Sequence, residues 1–264
     1  MFGFKRRRRE RLRSQPFPAE WLEVIEKNVP HYRCLSLEEQ KELQGHIQVF
    51  LSEKNFEGCG GLEMNDEIRV TIAAQACILL LHRETEYYPT LQSILVYPRY
   101  YRVSDARLLA DGTVIEGTDS RLGESWLHGV VVLSWDDVKG GAADIHDGHN
   151  VVFHEFAHQL DGESGSVEGA PDLVMRSRYI AWARVLGQGY QRLLDDLKHH
   201  RPTLLDSYAA TDHAEFFAVL TECFFEKPSA LKKRHPELYE RLRDFYQQDP
   251  AIREKVDGGT TRRT

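Results

Sequence analysis

Two histidines and a glutamate in the middle of the chain have a spacing that can bind and use a metal ion. His154, Glu155 and His158 form the pattern H-E-x-x-H, which is typical of zinc hydrolase sites. On a helix, residues four apart share one face, so both imidazoles can reach one ion. Glu155 would face a metal-bound water, accept its proton and later pass that proton to a leaving amine. The spacing therefore predicts metal-assisted hydrolysis.

A catalytic zinc site usually has three protein ligands, so a third must come from elsewhere in the chain. His146, His149 and Asp161 are the nearby candidates. Asp161 would share the helix face of the two histidines, but three ligands along one straight helix cannot easily surround a tetrahedral ion. We therefore predict that Asp161 contacts a ligand rather than the ion, or belongs to the C-terminal end of the helix.

A better candidate lies downstream, in a strongly apolar helix that carries two carboxylates. Glu215 and Glu222 interrupt a run rich in phenylalanine, and burying an unpaired acid is costly. A metal ion is one partner that would offset this cost. The two residues are seven apart and therefore lie on one helix face, two turns apart. One can bind the ion while the other accepts a hydrogen bond from a ligand histidine, and the spacing alone favours neither assignment.

The elements that must position these residues indicate a mostly helical α+β fold with a small sheet. Ser36 and Glu39 form a capping box, and Asp66 is expected to cap the next helix. Short β-branched runs predict strands at 93–98 and 129–135. A loop at 139–148 would lead into the H-E-x-x-H helix. We expect the other helices at about 37–54, 67–83, 172–199, 212–226 and 228–247.

The chain is expected to form one folded domain between two unstructured ends. Residues 1–15 contain Lys5 followed by four arginines, which is typical of a solvated, disordered tail. Residues 16–250 would form the domain, because no linker divides them. Residues 251–264 are rich in glycine, threonine and arginine and are expected to be a flexible C-terminal tail.

Bulk properties exclude several classes of protein. The net charge of -7 argues against nucleic acid as a direct partner. The four cysteines, which are far apart in the sequence, indicate neither a zinc knuckle nor a disulfide framework. The longest apolar run, 70–81, is much shorter than the roughly 20 residues that span a bilayer, and no signal peptide is recognisable. We therefore expect a cytoplasmic protein without a membrane partner.

Several stretches together resemble the Mlc titration factor A family of bacterial zinc peptidases. The stretches that carry the resemblance include His154–Asp161, Asp206–Ala210, Ala214–Val219 and Phe245–Pro250. The likeness runs from about residue 20 to 250. The active site of this family is similar to that of the anthrax lethal factor catalytic domain, with a gluzincin-like fold. The resemblance implies a zincin-like metallopeptidase domain, in which an edge strand of the sheet borders the active-site helix.

The resemblance also implies roles for particular residues. One zinc ion per chain would be bound by His154, His158 and Glu215, with Glu155 as the general base. Tyr208, seven residues before Glu215, would donate its hydroxyl to the developing oxyanion. The implied activity is aminopeptidase-like hydrolysis of a peptide or protein substrate.

A second function is implied by the same resemblance. The family is known for sequestering Mlc, a repressor of glucose phosphotransferase genes. A protein could do this through its surface while its zinc site is silent. Two hypotheses follow: a zinc peptidase that also binds an Mlc-type repressor, or a non-catalytic protein-binding module that titrates a transcriptional repressor.

Overall fold

The computed structural model describes residues 2–99, 105–108, 114–117, 129–164, 169, 171 and 176–253. The expected mostly helical α+β class is confirmed over these residues. The α-helices are α1 Phe2–Arg13, α2 Ala19–Asn28, α3 Leu37–Glu53, α4 Asp66–Ile78, α5 Trp135–Ala143, α6 Val151–Asp161, α7 Arg176–Lys198, α8 His213–Glu226, α9 Pro228–Arg234 and α10 Pro236–Tyr246. The strands are β1 Asn55–Gly58, β2 Ser93–Tyr97, β3 Asp105–Leu108, β4 Val114–Gly117 and β5 Val130–Ser134.

Three of the strands form a small parallel sheet in the order β1-β2-β5. Its alternating inward residues Ile94, Val96, Val131 and Leu133 are buried, as expected for a sheet with one face on the core. Strand β5 is an outer strand of this sheet as far as the described residues extend, and it packs against α6. Strands β3 and β4 form a separate antiparallel pair.

Helices α6 and α8 pack side by side in opposite directions at the centre of the molecule. Asn150, just before α6, contacts Glu222 near the end of α8, whereas His158 near the end of α6 contacts Glu215 near the start of α8. Phenylalanines surround this pair with a continuous apolar core. Because that core packs like a crystal of small molecules, it fixes the two facing helix surfaces relative to each other.

The first helix contradicts the expected disordered tail. Residues 2–13 form α1, which packs against α3. Arg9 is only 8% exposed and donates two hydrogen bonds of 2.9 Å to Glu53. Paired with a carboxylate, a guanidinium can be buried at low cost, so a basic run need not be solvated throughout. At the other end, Ala251 is buried and Arg253 pairs with Glu39, while 254–264 lie outside the described residues.

Three further boundaries differ from the sequence predictions. The first half of the expected loop at 139–148 belongs to the helix α5, which is capped by Ser134. The helix expected at 228–247 is two helices, because Pro236 cannot continue a helix and instead begins α10. Asn65, not Asp66, caps α4: its side chain accepts a hydrogen bond from the backbone of Ile68.

Two expectations drawn from composition can be compared with the fold. None of the four cysteines, Cys34, Cys59, Cys77 and Cys223, forms a disulfide. Among the described residues, no helix combines the length and the apolar character that crossing a bilayer requires.

Candidate metal centre

The N-terminus of α6 is anchored by a network around Asn150. The Asn150 side chain accepts hydrogen bonds from the backbone of Val152 and Phe153 at 3.1 and 3.0 Å, as an N-cap asparagine does. Its backbone N–H donates to Glu222 at 2.6 Å, and its amide donates to Gln75 at 3.0 Å. These contacts tie the start of α6 to α8 and α4. They therefore set the position of the two histidines that follow on α6.

Three side chains from α6 and α8 converge on one point. The Nε2 atoms of His154 and His158 lie 3.2 Å apart, and they lie 3.0 and 3.5 Å from Oε2 of Glu215. In a tetrahedral zinc site with bonds of about 2.0–2.1 Å, ligand atoms are about 3.3–3.4 Å apart. Two imidazoles and one carboxylate are also a donor set that zinc accepts. His154, His158 and Glu215 therefore fit a zinc ion.

The surroundings of this point are acidic and buried. Glu155, Glu215 and Glu222 are 1%, 7% and 5% exposed. Burial alone would lower the pKa of His154, but hydrogen bonds to Glu215 and Glu222 outweigh it and raise that pKa to about 10. Burial opposes ionisation of Glu215, yet its bonds to the two histidines hold its pKa far below the ordinary range. A cation at this point, whether a proton on His154 or a metal ion, balances the carboxylates.

Glu222 lies behind the converging atoms rather than among them. Its Oε1 accepts a hydrogen bond from Nδ1 of His154 at 2.7 Å. A proton on Nδ1 leaves Nε2 with its lone pair directed at the ion, which is how an outer carboxylate orients a ligand histidine. Of the two assignments that the helix spacing leaves open, this geometry favours Glu215 as ligand and Glu222 as its support.

The other candidate ligands are placed away from the point of convergence. Asp161 is fully buried, and its Oδ2 accepts a hydrogen bond from the backbone of Gly169 at 2.7 Å. Gly169 has φ +73° and leaves no room for a side chain, since a Cβ there would lie 2.3 Å from the carbonyl of His213. Asp161 thus connects the end of α6 to the following segment. His146 and His149 are exposed on the loop before α6.

Tyr208 reaches the site from the 3-10 turn Ser207–Ala210. Its hydroxyl donates to Oε1 of Glu215 at 3.2 Å, and its ring lies 6.0 Å from that of His154. The side chain is half exposed, so it lies between the buried ligands and the solvent. Burial, followed by the charge of Glu215, raises the pKa of Tyr208. The hydroxyl therefore keeps its proton and remains a hydrogen-bond donor at neutral pH.

Glu155 shares the electrostatic environment of the candidate ligands. After the larger effects of burial and of Glu215, its charge also contributes to the raised pKa of both His154 and Tyr208. A buried carboxylate next to the converging atoms can accept a proton from water there. Glu155 directly follows the candidate ligand His154 in the sequence, and its side chain is buried.

Sequence reasoning missed the network that positions these residues. Asn150 directly precedes the helical run, which is an N-cap signal that could have been recognised. No sequence signal connects Asn150 to Gln75, which comes from a helix 75 residues earlier in the chain.

Comparison with known proteins identifies close relatives over almost the whole chain. The sequence profile of the glucose-regulated metallo-peptidase M90 family matches residues 4–247. The match begins at Phe4 and so includes the basic residues of α1. The resemblance drawn from the sequence began only at about residue 20.

Individual relatives cover nearly the same range. The uncharacterized protein slr2042 of Synechocystis sp. is 42% identical over 247 residues, covering 93% of this chain and 90% of its own length. Proteins named Mlc titration factor A from Escherichia coli O1:K1 and Shigella flexneri are 32% identical over 238 residues, covering 88% of this chain and 87% of theirs.

Proposed function

The chain belongs to the glucose-regulated metallo-peptidase M90 family, and we propose that it is a zinc-dependent, aminopeptidase-like enzyme with a zincin-like domain. The observation that carries this proposal is the convergence of His154, His158 and Glu215 on one point between α6 and α8. The distances between their donor atoms suit a tetrahedral ion. The buried Glu155 supplies the proton acceptor that hydrolysis requires.

The proposed mechanism assigns each step to a side chain of this protein. When bound, zinc supplies Lewis acidity, which polarises a peptide carbonyl and makes water more acidic. Glu155 accepts the proton of the attacking water and delivers it to the leaving amine. Tyr208 turns its hydroxyl from Glu215 to the carbonyl oxygen, where negative charge develops in the transition state. Glu222 holds His154 in its ligand orientation throughout.

The substrate is proposed to be an extended peptide with a free amino terminus. Strand β5 is an outer strand of the described sheet and packs against α6, so a peptide can add to it as another strand. The acidic surroundings of the site favour a positively charged amino group near the scissile bond, since opposite charges attract strongly in a partly desolvated site. Both features support cleavage near an amino terminus.

Replacing Glu155 by glutamine tests the proposal. A carboxamide keeps the shape of the side chain but cannot accept a proton, so we expect hydrolysis of aminoacyl reporter substrates to fall by at least about 1,000-fold with zinc still bound. Glu53→Gln is the control, because Glu53 is a largely buried carboxylate that pairs with Arg9 and lies outside the converging group. Near wild-type turnover in zinc-loaded Glu155→Gln would contradict the mechanism.

The substrate class is tested separately by blocking the amino group. N-acetylated reporters should be cleaved far more slowly than the same reporters with a free amine. Equal rates would exclude the aminopeptidase preference without affecting the role of Glu155.

A second candidate function is titration of an Mlc-type repressor. It is favoured by the 32% identity to proteins named Mlc titration factor A. We propose that repressor binding uses the surface and does not require turnover. Purified Mlc should then bind Glu155→Gln as tightly as wild type. Mlc binding by a zinc-loaded wild type that cleaves no reporter would identify a regulatory module instead of an enzyme.

A further inference from the structure

Helix α1 has an inner face that is anchored to the domain. Lys5, Arg9 and Leu12 are spaced so that they share one side of the helix. Lys5 and Arg9 contact Glu86 at 3.5 and 2.8 Å, and Leu12 packs on the core. These contacts use only part of the basic run, and they fix which residues face outwards.

The outer face of α1 combines arginines with an aromatic side chain. Phe4, Arg7 and Arg11 follow each other at helical spacing on the side opposite Arg9. All three are exposed, and Phe4 is 81% exposed, more than any other large hydrophobic residue whose side chain the structure describes. Neither Arg7 nor Arg11 forms an ion pair with another described residue, so their charges are available to a partner. The three residues are called the outer stripe below.

The charge of α1 is opposite to that of the rest of the chain. Residues 2–13 contain seven basic residues and one acidic residue, a net charge of +6. The whole chain has a net charge of -7, so the remainder carries -13. An anionic partner would be repelled by most of the surface and attracted to this one helix. The helix would therefore orient the protein on such a partner.

We propose that the outer stripe binds the surface of a membrane that contains anionic phospholipids. Clustered basic residues are attracted to anionic headgroups, and an exposed phenylalanine one turn before them can enter the boundary between headgroups and acyl chains. The stripe lies on the outside of a single helix, so a flat surface can contact all of it at once. A nucleic-acid duplex would pair with the arginines but would offer no apolar environment to the exposed Phe4 side chain, which the headgroup boundary of a membrane supplies. This peripheral binding departs from the sequence expectation of no membrane partner.

Vesicle sedimentation with the full chain tests this proposal. Wild type should bind vesicles of phosphatidylcholine mixed with phosphatidylglycerol, and it should not bind vesicles of pure phosphatidylcholine. The double variant R7E/R11E should bind the anionic vesicles at least tenfold more weakly. K233E/R234E makes the same change in charge at two exposed positions of α9 and should bind like wild type. Raised salt should weaken wild-type binding through screening.

Further variants test the apolar contact and control for loss of stability. Phe4→Ser should bind more weakly than wild type even at raised salt, where the apolar contact contributes most of the remaining attraction. If R7E/R11E lowers the melting temperature, R7Q/R11Q replaces it. The proposal is overturned if wild type ignores anionic vesicles, binds both vesicle types equally, or binds a DNA duplex but no vesicles. It is also overturned if K233E/R234E loses as much binding as R7E/R11E.

Discussion

Two clusters of charged residues hold pairs of helices together in this protein, and they differ in the cation that their carboxylates can use. The arginine cluster joins α1 to α3 and consists of Arg9, Glu53 and Glu86. The metal cluster joins α6 to α8 and consists of His154, Glu155, His158, Glu215 and Glu222. Both place carboxylates where an unpaired charge would be costly.

The difference shows why only one of the clusters is a candidate site. A guanidinium is always charged and pairs with a carboxylate through two parallel hydrogen bonds, as Arg9 does with Glu53. Lys5 adds a second cation 3.5 Å from Glu86, so two cations balance the two carboxylates. Histidine is cationic only when protonated, and the metal cluster sets two histidines against three carboxylates. That cluster needs a cation from outside the chain. Buried acids therefore indicate a binding site here because no permanently charged residue of their own cluster neutralises them.

Removal of a ligand should have the largest effect on the metal cluster. We expect Glu215→Ala to reduce zinc affinity by more than the roughly 100-fold typical of losing an outer contact, because it removes a ligand from the ion itself. Metal analysis after dialysis at defined free zinc measures this. Full zinc occupancy in Glu215→Ala would remove Glu215 from the ligand set and direct attention to Glu222 or Asp161.

Tyr208→Phe separates the chemical step from metal binding at the same site. The change deletes only the hydroxyl, so zinc should stay bound. We expect kcat to fall by roughly 10 to 1,000-fold with KM nearly unchanged, because the lost hydrogen bond acts mainly in the transition state. Kinetics and melting temperature should be measured on the same preparation. An unchanged kcat with a lowered melting temperature would assign Tyr208 to packing and to orienting Glu215.

Glu222→Gln should have a smaller effect on the metal. The carboxamide can still accept a hydrogen bond from His154 but no longer holds a charge behind it, so we expect zinc affinity to fall by roughly 10 to 100-fold. Titration with a competing chelator measures the change. An affinity equal to that of wild type would show that Glu222 anchors only the start of α6, through its contact with Asn150.

Arg9→Met should change stability and leave chemistry alone. The variant keeps the apolar stem but removes the cation between Glu53 and Glu86. We expect the free energy of unfolding to fall by about 2 kcal/mol, below the value for a fully buried pair because Glu86 is 62% exposed. Denaturant unfolding measures this, and kcat/KM should stay within about threefold of wild type, a change below 1 kcal/mol. Loss of zinc in this variant would show that the two clusters are coupled.

The metal cluster was more predictable from sequence than the arginine cluster. H-E-x-x-H needs only helical spacing to bring two imidazoles together, and the motif does lie on a helix, α6. Glu215 stands out as an acid in an apolar helix. Arg9 looks like its neighbours in a basic run, and only its contacts across 44 residues with Glu53 make it a core residue.

Some helix and strand boundaries could not be predicted from the sequence, because packing rather than local conformational preference determines them. Gly140 and Gly141 are typical of a loop, yet Gly141 lies within α5, where a Cβ would come within 3.0 Å of the backbone at Asn150. Glycine there permits the close approach of two segments and does not mark a turn. Strand β1 is short and polar, and its pairing with β2 is a tertiary contact that periodicity does not predict.

The central claim is that the metal cluster binds one zinc ion between α6 and α8. Anomalous scattering from a crystal of the purified protein, recorded on both sides of the zinc absorption edge, tests it most directly. We expect one peak per chain at bonding distance from Nε2 of His154, Nε2 of His158 and a carboxylate oxygen of Glu215. A zinc-loaded crystal with its peak elsewhere, or with no peak between these three atoms, would contradict the account.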